Sequence, residues 1–435
     1  MKKTIFYAFL LGSLSSKVWG QDTIRVSKQD LVNKISEQNL QVKLSRHEVK
    51  LAEADLLQAR AAHLPNITAS YTAMNANSPL MAFGTKLNQS RIEMADFNPD
   101  YLNKPKSITN FNTKLEVQQP IFNKDAVFQK KAGQAKVNAL QIKSERTAEY
   151  MKFEIAKAYM QLQLAYKAVE VLENAKKTVL ANKKVIDNYH KNGMIQKSEV
   201  LYMNVRVTEI DNQLQYAKSN VRNASDYINF LTNDEYANVV LEPVDGLVYQ
   251  ENILENNPKL NLERKDLLAY AKSLDAYQLM IESSKAKFLP RLNAFGQFEL
   301  NDNKIYQFGG KGYMVGLQLS WNIFDGYKAN SEQAKYLSEI SKTQTEILEY
   351  QKKSQLELNK AYRQVLDADN KVSLTKMAWE QSQEAYRIRK NRFDQGLEKS
   401  ADLLSAETQT SQKMLDHQQA IFEYNTAVEY FRFLN

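Results

Sequence analysis

The segment Met151–Leu172 has the sequence MKFEIAKAYMQLQLAYKAVEVL and lies in a stretch, Lys124 to Asn188, that contains no proline. Apolar and small residues recur in this stretch at two interleaved seven-residue spacings. One series is Ile155, Leu162 and Val169, and the other is Ala158, Ala165, Leu172, Val179 and Ile186. The pattern predicts a helix roughly 100 Å long with one narrow apolar face. Such a face has to pack against other helices of the same kind.

The same pattern returns 203 positions later, between Gly326 and Lys390. Its two series are Leu358, Val365, Val372 and Trp379, and Ala361, Ala368 and Thr375. The flanking residues repeat as well: Gly193 matches Gly396, and the set Ala224, Tyr227, Phe230 and Leu231 returns as Ala427, Tyr430, Phe433 and Leu434. Agreement over such a length indicates one duplicated unit.

Each copy of the unit begins with a helix that is followed by two segments of alternating polarity, and these predict strands. The predicted first repeat, 21–232, has a helix from Ser27 to about His63, strands at 66–75 and 108–119, a long helix at 124–190 and a helix at 195–231. An equatorial connector at 233–258 leads to the second repeat, 259–435, with a helix from Leu260 to Phe288, strands at 291–300 and 313–322, and helices at 326–391 and 399–434. The segment Ala76–Ser107 lacks clean periodicity and predicts a long hairpin loop.

Composition narrows the class of protein. Lys2 and Lys3, an apolar core and small residues before Gln21 predict a signal peptide at 1–20. There is no cysteine, which excludes disulfides and thiolate metal sites. A net charge of +8 over 435 residues, with no dense basic block, argues against a nucleic-acid partner.

The number of strands predicts an oligomer. Strands of about 10 residues can cross a bilayer when tilted. A sheet in lipid has to close, and closed membrane barrels need about eight strands or more. Two chains would supply eight strands around a filled interior, whereas three would supply twelve with room for a lumen. We therefore predict a mainly α chain with a membrane β-barrel portion that is completed by three copies.

This combination resembles the TolC-like outer-membrane efflux protein family. The most specific marks are Arg392–Gly396 (RFDQG), Ser400–Leu404 (SADLL), Leu289-Pro290 and Trp321–Gly326 (WNIFDG). The resemblance implies a homotrimer in the outer membrane lipid, with a shared twelve-stranded barrel and a long periplasmic helical tunnel. It also implies two partners, a periplasmic adaptor protein and an inner-membrane transporter.

Two acidic residues are candidates for a gate at the end of the tunnel. If the turns at Gly193 and Gly396 form this end, Glu199 and Asp402 of three copies form a ring that resists closure and attracts cations. The family carries two aspartates at its narrow entrance; Asp402 matches the first, but Ser405 stands at the second. An acid in the first turn of a helix also suits the helix dipole, so this simpler role stays open.

The turns themselves are candidates for adaptor docking, through Gly193, Arg392, Phe393 and Gly396, although each turn could serve only to end a helix. In the long first loop, Phe83 and Gly84 could shape or merely cover an outer mouth. The four histidines lack metal-ligand spacing, and the glycines at 309–312 lie between two strands without the phosphate-loop spacing.

We predict no catalytic residue, cofactor or metal, and hence a passive export conduit for small molecules or peptides, in efflux or type I secretion. The alternative is a structural periplasmic coiled-coil or adaptor protein without a pore. The four membrane-length strands argue against this alternative, because such a protein does not need them. A hydrolase with helical decoration is disfavoured because no set of acid and base residues converges.

Overall fold

The computed structural model describes residues 23–234, 239–251 and 258–435. The predicted signal peptide, and residues 235–238 and 252–257 of the predicted connector, lie outside the described residues. The helices are α1 (Lys28–Gln38), α2 (Leu40–Ala61), α3 (Pro79–Asn88), α4 (Pro99–Asn103), α5 (Lys124–Lys191), α6 (Lys197–Thr232), α7 (Lys265–Ala286), α8 (Lys328–Asp394) and α9 (Ser400–Leu434). The strands are β1 (Thr23–Val26), β2 (Asn66–Ala76), β3 (Ile108–Phe122), β4 (Val240–Pro243), β5 (Arg291–Asp302) and β6 (Gly310–Ser320). Two very long helices and two membrane-length hairpins confirm the predicted mainly α class.

The chain forms two compact units, and each takes segments from both sequence repeats. The first unit contains the described residues of Met1–Val42, Ala148–Lys259 and Glu357–Asn435, and the second contains Lys43–Thr147 and Leu260–Leu356. The repeats therefore describe how the sequence is duplicated, whereas the units describe how it packs.

In the first unit the predicted apolar faces of α5 and α8 are buried. Ile155 and Leu162 of α5 pack with Ile228 of α6 and with residues of α1. In the second repeat, Leu358 and Val365 of α8 pack with residues of α9. The two cores are duplicates of each other, as the heptad series predicts. A short parallel pairing of β1 with β4 lies beside the first core.

In the second unit, four antiparallel strands form one sheet in the order β2-β3-β5-β6. The pairing places apolar residues in rows on one face, such as Ala69, Leu115, Phe298 and Tyr313. The row on the opposite face one residue along is Ser70, Lys114, Glu299 and Gly312. Within the residues that the structure describes, β2 and β6 each pair on one side only, so the sheet has two open edges.

The predicted single helix from Ser27 to His63 is wrong, because it is divided at Asn39. This residue is buried, and its side-chain Nδ2 donates to the carbonyl oxygen of Leu231 at 2.8 Å. Its Oδ1 accepts from the backbone N–H groups of Gln41 at 2.9 Å and Val42 at 3.1 Å. An asparagine that accepts in this way acts as an N-cap, so it ends α1 and begins α2.

The predicted long loop at 76–107 is also wrong, because it contains α3, a 3₁₀ turn at Met94–Phe97 and α4. Pro79 lies at the start of α3 and Pro99 at the start of α4, where proline is well tolerated because those N–H groups have no helical partner. These prolines therefore begin helices in a segment whose lack of periodicity predicts a loop.

The predicted start of the helix at Leu260 is five residues too early. The backbone N–H of Leu260 donates to Oε1 of Gln355 at 2.9 Å, and α7 begins at Lys265. Arg264, just before α7, is buried and donates to Ser354 Oγ at 2.7 Å and to Asp266 Oδ1 at 2.8 Å. The two long-range contacts, with Gln355 and Ser354, hold residues 260–264 in a non-helical conformation.

Candidate functional site

The candidate site consists of two turns in the first unit. The first turn joins α5 to α6 at 192–196, and the second joins α8 to α9 at 395–399. Gly193 and Gly396 both have left-handed backbone conformations, with φ of 72° and 75°. Glycine adopts this conformation without the steric cost that a Cβ imposes.

Both turns have the same backbone hydrogen bonds. In the first, Gly193 N donates to His190 O and Met194 N donates to Tyr189 O, both at 2.9 Å. In the second, Gly396 N donates to Phe393 O and Leu397 N donates to Arg392 O, again at 2.9 Å. This is the Schellman pattern of helix ends, in which two otherwise unpaired carbonyl groups are satisfied. The duplicated glycines therefore end the two long helices in the same way.

The two turns pack against each other around Phe393, which is 4% exposed. Its ring lies 5.8 Å from the ring of Tyr189, and its cluster includes Ile186, Met203 and Leu403. Tyr189 Oη donates to the carbonyl oxygen of Asp394 at 3.4 Å. Because Phe393 is buried, it supports the second turn from within and offers little surface to a partner.

Side-chain ion pairs stabilise the second turn, whereas the side chain of His190 makes a single backbone contact in the first turn. Glu398 accepts from Arg389 Nη1 at 2.7 Å and from Arg392 Nε at 2.9 Å, and its side chain is 12% exposed. Among the described residues, no side-chain ion pair closes the first turn, where His190 Nδ1 lies 3.1 Å from Ile195 O. Met194 and Leu397, which follow the two glycines, are 66% and 65% exposed.

The structure places the two candidate gate acids in the first turns of α6 and α9. Ser400 Oγ donates to the Glu199 carboxylate, which connects the start of α6 to the start of α9. Asp402 lies two residues beyond Ser400 and is exposed. The two acids therefore lie at two helix starts that contact each other through Ser400. Asp402 faces solvent, whereas Glu199 is half-buried against Ser400.

A buried ion pair further along the helices was not predicted from the sequence. Arg206 of α6 and Glu407 of α9 are 4% and 3% exposed, and Nε and Nη2 of Arg206 each donate to Glu407 Oε2 at 3.2 Å. Ser411 Oγ also donates to Glu407 at 2.9 Å. Local sequence patterns do not show which residues on separate helices form an ion pair. The signal that could have indicated this pair is a single arginine and a single glutamate on helix faces that are otherwise apolar. Removal of Arg206 would leave the buried charge of Glu407 uncompensated.

Within 23–234, 239–251 and 258–435, no group of three His, Asp or Glu residues is placed to hold a metal ion. Across the same residues, no helix combines the length and apolarity that crossing a bilayer requires.

Comparison with known proteins identifies the family. The family model of the outer membrane efflux proteins matches residues 31–233 and 258–433. A comparison with the curated proteins gives no match.

Several solved structures have a similar fold. The CmeC outer membrane channel of Campylobacter jejuni has a TM-score of 0.75 and 15% identity, covering 94% of this chain and 85% of that chain. A membrane protein from Pseudomonas aeruginosa has a TM-score of 0.77 and 15% identity, covering 94% and 92%. The MtrE outer membrane channel of Neisseria gonorrhoeae, in its open state, has a TM-score of 0.73 and 14% identity, covering 94% and 88%.

At these identities the structural likeness concerns the fold, whereas the family match extends over both sequence repeats. The resemblance to TolC-like proteins, first seen in the turn and junction motifs, is confirmed. This chain belongs to the outer membrane efflux protein family.

Proposed function

We propose that this protein is the outer-membrane exit duct of a tripartite efflux or type I secretion system. Three copies share a twelve-stranded barrel and continue it into a periplasmic helical tunnel. Small molecules or peptides pass through passively, while an inner-membrane transporter, connected by a periplasmic adaptor protein, supplies the energy.

The observation that carries this proposal is the four-stranded sheet, which has one apolar face, one polar face and two unpaired edge strands. Leu115, Phe298 and Tyr313 of its apolar face are 44%, 43% and 80% exposed in the single chain. An apolar face suits lipid and a polar face suits a water-filled lumen. Unpaired strand edges are costly in hydrocarbon, so β2 of one copy has to pair with β6 of another. Four strands per chain give twelve in a trimer.

The unequal burial of the two long helices supports a ring of copies. Val171 of α5 is 7% exposed, whereas its duplicate on α8, Leu374, is 63% exposed. Phe153 of α5 is half-buried, whereas its duplicate Leu356 is 63% exposed. The same apolar side of the helix is therefore buried within the chain in α5 but exposed in α8.

The duplication indicates what covers this side of α8. The ring of Phe153 lies 5.4 Å from Tyr430 and 5.8 Å from Phe433 of α9. The duplicates of those two aromatic residues on α6, Tyr227 and Phe230, are 45% and 56% exposed. Within one copy, α9 packs on α5. If the repeats alternate around a ring, α6 of one copy makes the equivalent contact with α8 of the next copy. A closed ring leaves neither face exposed.

The proposal is tested by expressing the full chain, separating the membranes and reconstituting the purified protein in planar bilayers. We expect a trimer in the outer-membrane fraction that gives long-lived conductance steps. A soluble periplasmic monomer would instead support the poreless coiled-coil or adaptor protein and would end the duct proposal.

At the two turns, we propose that Asp402 and Glu199 of three copies form a ring that limits conductance. Fixed negative charges around a narrow pore attract cations, and like charges resist closer approach. Replacing both acids, by Asp402→Ala with Glu199→Ala, should raise the single-channel conductance or lower the preference for cations. The matched control is Glu384→Gln, an exposed acid of α8 paired with Arg387. Unchanged conductance and ion preference in the double variant would remove the gate assignment.

The same two turns are the proposed docking surface for the adaptor. Gly193, Gly396 and Arg392 fix the turn backbones, and the exposed apolar residues Met194 and Leu397 are available for contact. The residue after the glycine in a Schellman turn often packs back on its own helix, so its exposure in both turns favours a partner.

A further inference from the structure

The two hairpins of the sheet end very differently. The connection from β5 to β6 has seven residues, 303–309, whereas the connection from β2 to β3 spans 77–107 and contains α3, the 3₁₀ turn and α4. We call 77–107 the hairpin insert. It lies at the end of the strands away from α2 and α5, because β2 follows α2 and β3 leads into α5.

The insert folds back over the polar face of the sheet. Ala82 and Thr85 of α3, and Gln89 directly after its end, lie on one side of the helix, and all three are buried. Nε2 of Gln89 donates to Thr109 O at 2.8 Å and to Asn110 Oδ1 at 2.9 Å. Asn110 in turn donates to Asn301 Oδ1 at 2.8 Å. The side chains of Asn110 and Asn301 belong to the face that carries Lys114 and Glu299, because positions two apart on a strand share a face.

A glycine on β6 permits this close approach. Gly310 pairs with Asn301 and therefore lies on the polar face. A Cβ at Gly310 would lie 1.9 Å from the carbonyl oxygen of Asn88 and 3.0 Å from Cα of Gln89. Backbone atoms cannot move aside as the end of a flexible side chain can, so alanine at 310 would displace the insert. Gly312, two residues along on the same face, has no atom within 4 Å of such a Cβ.

Contacts between α3 and the 3₁₀ turn stabilise the fold of the insert. Lys86 of α3 forms an ion pair with Asp96 in the 3₁₀ turn, and Asp96 also accepts from the backbone N–H of Glu93 at 3.0 Å. The hydrogen bond from Lys86 and the one from Glu93 lower the pKa of Asp96, so the pair is charged at neutral pH. The rings of Phe83 and Phe97 lie 5.7 Å apart and join the same two segments.

The side of α3 that faces away from the sheet is apolar. Leu80 and Leu87 are seven residues apart and hence lie on one face, opposite Ala82, Thr85 and Gln89. They are 83% and 55% exposed, and Met94 in the 3₁₀ turn is 87% exposed. Three large apolar side chains therefore project from the insert beyond the polar face of the sheet.

We propose that the hairpin insert of each copy lies inside the conduit and forms an apolar constriction at its outer end. The proposal rests on the duct function, in which the polar face of the sheet lines the lumen. Three inserts on this face place Leu80, Leu87 and Met94 around the pore. A narrow apolar passage resists hydrated ions and favours apolar or amphipathic solutes that can shed water there. The insert would thus determine what leaves the duct, separately from the acids at the two turns.

The test compares single-channel conductance of the full chain and four variants in planar bilayers. Gly310→Ala should raise conductance about twofold or more, because it displaces the constriction, while Gly312→Ala should match the unmodified protein. Leu80→Glu and Leu87→Glu should each increase the preference for cations, and neither should affect folding because both side chains are exposed.

The outcomes separate this inference from the duct function. If the unmodified protein forms no channel, the duct proposal itself fails. If it conducts, and Gly310→Ala and both glutamate variants give the same conductance and ion preference as the unmodified protein, the inserts lie outside the pore and only the constriction is overturned. If Gly310→Ala does not assemble, the two glutamate variants decide, since a charge in the passage changes ion preference and a charge elsewhere does not.

Discussion

The two turns at the ends of α5 and α8 have the same backbone but different side-chain support. Each has a left-handed glycine and the same two hydrogen bonds. The second turn adds a buried phenylalanine, Phe393, where the first has His190, and two arginines paired with Glu398. The duplicated unit therefore keeps what is needed to end a long helix, and the second copy adds interactions that make its turn more rigid. We expect the first turn to open more readily than the second.

The largest expected effect is that of Phe393→Ala. Removing a buried phenylalanine ring costs about 3–5 kcal/mol, including the cavity that remains. Its duplicate change, His190→Ala, removes a half-buried side chain with one hydrogen bond and should cost about 1 kcal/mol. Amide hydrogen exchange of peptides from the two turns measures these free energies of local opening. Equal losses in the two variants would show that Phe393 does not distinguish the turns.

An intermediate and equal effect is expected for Gly193→Ala and Gly396→Ala. A left-handed backbone costs a residue with a Cβ about 1–2 kcal/mol, and the two φ angles are nearly the same. The control is Gly246→Ala, since Gly246 has open space around its Cβ position and no positive φ. Exchange in the turn peptides should accelerate similarly in both variants and stay unchanged in the control. A loss in only one turn would contradict the idea of a shared backbone.

The smallest expected effect is that of Glu398→Gln. This change keeps the size of the side chain and removes its pairing with Arg389 and Arg392, which should cost about 1 kcal/mol or less. The faster exchange should be confined to the second turn. High salt should reduce the difference between the two proteins, because salt screens partly exposed charges. An effect that spreads equally to the first turn, or that does not respond to salt, would indicate a role other than ion pairing.

The sequence predicts those parts of the fold that depend on local pattern. The heptad series from Ile155 and Leu358 predicts buried faces on long helices, and both faces are buried. Glycine after a long helical pattern is typical of a helix end, and the positive φ angles of Gly193 and Gly396 show why glycine is needed there. Alternation of polarity predicts the four strands, because side chains on a strand point to opposite faces in turn.

The features that the sequence does not predict depend on residues far away in the chain. Asn39 breaks the first helix because it bonds to Leu231, and Arg206 is buried because Glu407 neutralises it. The insert folds because Gln89 reaches β3 and Gly310 leaves space for Asn88. None of these partners is close in sequence, and the short helices α3 and α4 have too few turns to show a period.

The structure of the purified full-length protein in lipid nanodiscs, determined by electron cryomicroscopy, would test the proposed assembly most directly. We expect three copies around an open axis, with β2 of one copy hydrogen-bonded to β6 of the next and Tyr227 and Phe230 against α8 of a neighbour. A single subunit in lipid, or an assembly whose sheets keep their open edges unpaired, would contradict the proposed duct.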